Sequence, residues 1–177
     1  LIFICLDIFS STLQYHNVID QYGALWTKVK EQGEFYRLFT HLFLHANTEH
    51  IFNNMLVLYF LGRILERIVS KPRYIIIYFG SGIIAGVVSM VYNMVNDNVI
   101  VSIGASGAVF GVIGAILYAV IKNKGRIADI GIGQLMLFVA FSIFAGYTSS
   151  NVDNAAHIGG FLAGTLLGMI FIRKRNL

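Results

Sequence analysis

Ser106 and His157 are the residues of this chain best suited to covalent chemistry. A serine hydroxyl is a weak nucleophile until an adjacent base takes its proton, and histidine is the side chain most often used for that task. Both stand in otherwise apolar surroundings, Gly104-Ala105-Ser106-Gly107 and Ala156-His157-Ile158-Gly159-Gly160. An acyl transfer also needs donors for a tetrahedral oxyanion. His50 and Asn54 lie four apart, on one face of a helix, and both can donate side-chain N–H groups. The Ser106 N–H falls at an expected helix start, where amides have no intrahelical partner. The plainer reading is packing: Ser106 bonded to its own helix, His50 and Asn54 bonded to carbonyls of the preceding loop. Taken singly, either Ser106 or His157 favours packing.

The elements that must position these residues follow from composition. Of 177 residues, 56% are apolar and 12% charged, with 18 Gly. Apolar residues plus Gly reach about two-thirds, against ~45–50% in ordinary domains, and mean hydropathy is +0.71. A soluble domain of this size cannot bury that much hydrocarbon. Soluble enzymes, disordered tails and disulfide-rich secreted modules are excluded, and a membrane protein is expected. Lone Cys5 allows no intrachain disulfide.

A bilayer span needs ~20 mostly apolar residues, and six are expected. Leu1–Leu13 is a short first span. Further spans cover His50–Val69, Tyr74–Val95, Ile100–Ile121, Ile127–Tyr147 and Val152–Ile172. Between the first two, 14–49 mixes aromatic and charged residues in the manner of an interfacial loop. The chain starts inside an apolar run without Met, so 1–177 reads as one domain cut from a longer protein.

Charge orients the six spans. Arg63, Arg67, Lys71, Arg73, Lys122, Lys124, Arg126, Arg173, Lys174 and Arg175, ten of the thirteen Lys plus Arg, fall on one side. The positive-inside rule makes that side cytoplasmic, together with both chain ends. The net charge of +4 is thus an orientation signal, and no nucleic-acid partner is expected. Ser106, His157 and His50 then share one depth, near the outer face. Gly160, Gly164 and Gly168 share the His157 face, and Gly107, Gly111 and Ala115 form a matching stripe. Small residues at this spacing let two helices approach closely in lipid. Matched depth and matched faces turn the balance from packing toward a Ser106/His157 pair.

Other polar residues fit less well. His41, His45, Glu49 and His50 resemble zinc-ligand chemistry, but Leu42 follows His41 where a zincin motif needs Glu. A structural role, bracing the loop against span two, is favoured, with no metal. Glu66 can pair with Arg67 or bond a loop. Asp153, four before His157, can orient the imidazole, or sit in water at the helix entrance; water is favoured. Ala108 breaks the Gly-x-Ser-x-Gly elbow of soluble hydrolases. His16 and Cys5 carry no argument.

Together these motifs resemble the rhomboid family of intramembrane serine proteases over essentially the whole chain. Gly104-Ala105-Ser106-Gly107 matches its G-x-S-G, and Ala156-His157 with Gly160 and Gly164 its A-H-x-x-G-x-x-x-G. His50 and Asn54 match its H-x-x-x-N, and Tyr36-Arg37 stands where many members have Trp-Arg. The resemblance implies an all-α bundle of six transmembrane helices with a partly membrane-embedded first loop. It implies a Ser106/His157 dyad needing no Asp, an oxyanion hole from His50, Asn54 and the Ser106 N–H, and no cofactor. Gly104, Gly107, Gly111, Gly160 and Gly164 support packing; Arg37, Glu66 and Phe110 are structural. Glu66 matches a glutamate tying the first loop to span two. Phe110 stands where some bacterial members have a Tyr stacked on the histidine, and a Phe keeps the ring while losing the hydroxyl.

The expected activity is cleavage of transmembrane or juxtamembrane segments of other membrane proteins, in a bacterial cell membrane, with the site opening outward. Spans two and five part to admit substrate, by the same resemblance. Two rivals are a catalytically inactive binder of transmembrane helices and a small transporter. The inactive binder has no need of Ser106 with His157. A transporter would show inverted repeats or broken midplane helices, which the sequence lacks.

Overall fold

The computed structural model describes residues 4–5, 18, 21–127, 130–148 and 152–172. The expected first span, apart from the strand Ile4–Cys5, lies outside these residues, as do His16 and the basic run Arg173-Lys174-Arg175. Five long helices dominate: α3 (Thr48–Ile68), α4 (Lys71–Val95), α5 (Ser106–Lys122), α6 (Ile132–Thr148) and α7 (Asn154–Phe171). By length and composition, α4 and α7 are apolar enough to cross a bilayer, while α5 and α6 are apolar but shorter.

Local chemistry sets the helix boundaries. Asn47 caps α3 by accepting the His50 N–H at 2.7 Å. Pro72 lies in the first turn of α4, where its missing N–H costs nothing, so the helix starts at Lys71 rather than at the expected Tyr74. The fourth expected span is shortened at its start. Val101–Ser102 (β4) pairs antiparallel with Ala24–Leu25 (β2). Gly104 follows at φ +115°, a conformation suited to glycine, and the helix begins only at Ser106. The fifth is shortened by the hairpin of β5 (Arg126–Ile127) and β6 (Ile130–Gly131).

Helix α5 is the centre of the bundle, buried from Gly107 through Leu117, as a helix apolar on all sides must be. It packs against α7, α4 and α3. The α5–α7 contact is backbone on backbone. A methyl group at Gly160 would come within 2.0 Å of the Gly107 carbonyl oxygen, and one at Gly164 within 1.9 Å of that of Gly111. Such contact replaces the absent hydrophobic drive between helices in lipid with van der Waals packing. Leu137, Phe141 and Phe144 on α6, and Leu162, Leu166 and Ile170 on α7, are exposed. Exposed apolar surface of this extent marks a membrane or partner interface.

The segment before α3 holds α1 (Trp26–Gln32), α2 (Arg37–Thr40), a 3₁₀ turn (His41–Phe43) and β3 (Leu44–His45). β3 pairs in parallel with β1 (Ile4–Cys5). Buried Arg37 anchors the segment: its Nε donates to Glu34 at 2.5 Å and its Nη1 to the Gly23 carbonyl at 2.9 Å. Trp26 Nε1 donates to the Asn98 carbonyl at 2.8 Å, tying the segment to the end of α4. Phe35, Tyr36 and Phe39 stay exposed.

Candidate active site

Three helix starts converge at one end of the bundle. Ser106 is the first residue of α5, and His157 sits in the first turn of α7. His157 Nε2 lies 3.0 Å from Ser106 Oγ, within hydrogen-bond range. The glycine faces of α5 and α7 make this approach possible, because any side chain there would part the two helix starts. Phe110, one turn into α5, lies flat on the imidazole, with ring centroids 4.3 Å apart and planes at 11°. The other ring nitrogen, Nδ1, is buried without a partner among the described residues. If Nε2 accepts from the serine, Nδ1 carries the imidazole proton.

His50, in the first turn of α3, packs on Gly104; a methyl group there would come within 2.7 Å of the ring. Its Nδ1 accepts from the Ala46 N–H at 3.4 Å, which assigns the remaining proton to Nε2. Buried Asn54 donates from Nδ2 to the His50 carbonyl at 3.0 Å. Its first bond therefore goes to its own helix, not to the preceding loop.

The loop histidines brace more than span two. His41 presses its ring on Gly86 of α4, and its carbonyl accepts the Gly104 N–H at 2.9 Å. His45 Nε2 accepts from the Ala105 N–H at 3.4 Å, and its ring meets His50 edge-on. Burial lowers both imidazoles to about 4; at His41 the charge of Asp153 opposes that shift. Among the described residues, no group of three or more His, Cys, Asp or Glu is placed to hold a metal.

Two acidic residues differ from expectation. Glu66 is exposed on α3 and makes no ion pair with Arg67 among the described residues, where Arg37–Glu34 is the ion pair present. Asp153 is neither in open water nor bonded to the imidazole. Its Oδ1 accepts the Ala156 N–H at 2.9 Å, capping α7, and its Oδ2 accepts from the hydroxyls of Ser89 and Ser102. Ser89, Asn93 and Ser102 are buried, and no catalytic motif marks them in the sequence. The i, i+4 spacing of Ser89 and Asn93 in an apolar helix was the available signal.

A cleft of about 300 Å³ opens between α3 and α6, lined by Leu56, Phe60 and Leu61 on one side and Ile130, Leu135 and Phe138 on the other.

The family model for the Rhomboid domain matches residues 32–174, a stretch that contains every residue of this site. The chain belongs to the rhomboid family. As a rhomboid it is a membrane protein. It is 31% identical over 164 residues to the rhomboid protease GluP of Bacillus subtilis (strain 168), covering 93% of this chain and 31% of GluP. To YdcA of the same organism it is 32% identical over 144 residues, covering 81% of this chain and 71% of YdcA. To RHOMBOID-like protein 1 of Arabidopsis thaliana it is 36% identical over 157 residues, 87% of this chain and 39% of that protein. This rhomboid chain thus spans about a third of GluP and most of YdcA.

Proposed function

We propose that this rhomboid protein is an intramembrane serine endopeptidase acting on transmembrane or juxtamembrane segments of other membrane proteins. The 3.0 Å approach of His157 Nε2 to Ser106 Oγ carries the proposal. His157 takes the Ser106 proton as Oγ bonds to the scissile carbonyl carbon, leaving negative charge on the carbonyl oxygen. The Ser106 N–H and the side chains of His50 and Asn54 donate to that oxygen. Breaking the C–N bond sends the His157 proton to the leaving amine and leaves an acyl group on Ser106. Water then attacks the acyl carbon, giving its proton to His157, and Ser106 recovers its own as product leaves. Asp153 has no direct part, since its carboxylate is occupied elsewhere.

A helical substrate holds its carbonyls in hydrogen bonds, so it must unwind locally before attack. Gly, Ser or Pro near the cut and a small residue before it favour that step. The apolar cleft between α3 and α6 suits a substrate segment arriving from the lipid. Six spans with both ends cytoplasmic would open the site to the outer face, where water is available for deacylation; the clustering of Lys and Arg supports this orientation.

Labelling with a fluorophosphonate in liposomes tests the proposal. Wild type is expected to label and to cleave a transmembrane substrate, and Ser106→Ala to do neither. A wild type that neither labels nor cleaves would point to the inactive-binder reading.

A further inference from the structure

We infer that Asp153 is a positioning residue for the dyad, one carboxylate that pins the chain leading into Ser106 and the helix start carrying His157 to the same point on α4. The inference rests on the protease reading of Ser106 and His157. Four bonds converge on this residue. Its Oδ1 caps α7 through the Ala156 N–H, and its carbonyl accepts the His157 N–H at 3.1 Å. Its Oδ2 takes the hydroxyls of Ser102, in β4 four residues before Ser106, and of Ser89, on α4. The two serine oxygens lie 2.8 Å apart, and Asn93 Nδ2 donates to Ser89 at 3.2 Å.

The glycine faces explain why such a pin is needed. They bring α5 and α7 together through van der Waals contact, which is non-directional and leaves sliding along the helix axes weakly opposed. Hydrogen bonds are directional, and the Asp153 cluster lies at the end of both helices where the dyad forms. A misplacement of ~1 Å at reacting groups can cost ~100-fold in rate. His157 Nδ1 has no hydrogen-bond partner among the described residues, so the bonds of Asp153 reach the dyad through the backbone of α7 and through Ser102, and none is made to the imidazole itself.

The test compares wild type with Asp153→Ala, Asp153→Asn, Ser102→Ala and the Asp153→Ala/Ser102→Ala double variant, all in liposomes. For each, kcat and KM on a transmembrane substrate, the fluorophosphonate labelling rate and the ¹⁵N resonance of His157 Nε2 are measured. Asp153→Ala is expected to lower kcat and labelling about 10–100-fold with KM unchanged and to shift the resonance. Asp153→Asn, which keeps acceptor Oδ1, recovers part of both. Ser102→Ala gives a smaller loss, and the double variant is no worse than Asp153→Ala, because residues in one network do not act additively. Wild-type kcat, labelling and resonance in folded Asp153→Ala, or in Asp153→Asn and Ser102→Ala should the alanine variant not fold, overturn the inference. An inactive wild type whose His157 resonance still moves in Ser102→Ala, which breaks the network but leaves the Asp153 charge in place, would sink the protease reading and leave the positioning role standing.

Discussion

Phe110 lies parallel to the imidazole of His157, 4.3 Å away, and both rings are almost fully buried. The stack holds the imidazole in the plane from which Nε2 meets Ser106 Oγ. Aromatic pairs of this kind contribute about 0.5–1.5 kcal/mol beyond their burial. Phe110→Leu keeps most of the volume and loses the stack, so kcat is expected to fall about 2–10-fold with KM and thermal stability little changed. Phe110→Tyr keeps the ring and should stay near wild type. Steady-state kinetics on a transmembrane substrate distinguish them; an unchanged kcat in Phe110→Leu counts against the stack.

The α5–α7 interface admits no added atom at Gly164. Gly164→Ala places its methyl group 1.9 Å from the Gly111 carbonyl oxygen, so the helices must part. Overpacking of this kind costs about 1–3 kcal/mol, and activity should be lost together with stability because the dyad bridges the same two helices. Gly133 of α6 has open space where a methyl group would go, and Gly133→Ala is the matched control, with stability and activity kept. Thermal unfolding in detergent alongside labelling reads both.

Oxyanion donors act in the transition state rather than in binding. Removing one such donor costs about 100–1,000-fold in kcat in other acyl-transfer sites. Asn54→Ala is therefore expected to lower kcat by that order with KM unchanged. Its Nδ2 already donates to the His50 carbonyl, which fixes the amide and leaves its other N–H for the oxyanion. A rise in KM at constant kcat would instead assign Asn54 to substrate binding.

Acid should weaken the fold through His41. Burial lowers this imidazole from 6.5 to about 4, so between those pH values the unfolded chain binds a proton that the folded one does not. Stability is full above about pH 6.5 and falls as pH drops toward 4, by about 1.4 kcal/mol per pH unit for one group. His45, lowered to about 4 by burial and by neighbouring His50, adds a second such slope. His41→Gln is expected to remove the share of one imidazole, up to about 1.4 kcal/mol per pH unit, from the drop between pH 6.5 and 5, measured by denaturation in detergent. An unaltered pH slope would show that His41 does not carry it.

Much of this arrangement was legible because it depends on residue type and local spacing. Ser106 and His157 stand out as polar groups in apolar helices, and the stripes Gly107-Gly111 and Gly160-Gly164 follow from helical periodicity. The matching of these stripes depends only on both being smooth. The helix starts were less legible. Ser106 does stand at a helix start, as expected, but the stretch from Ile100 before it is not helical, because β4 pairs with β2 and the Gly104 N–H bonds to His41. Both partners lie more than sixty residues away in the chain.

The sequence by itself determined that the chain belongs in a bilayer, which polar residues sit among its apolar helices, and which helix faces can touch. Those properties are carried by composition and by neighbours within one or two turns. Only the tertiary structure decided where Asp153 spends its carboxylate, since Ser89, Ser102 and Asp153 are unremarkable singly and acquire meaning only when three elements bring them together. The tertiary structure likewise left Glu66 exposed on α3 and turned His41 and His45 onto α4 and the start of α5. A side chain's partner across the fold is set by the packing of whole elements, which no local pattern encodes.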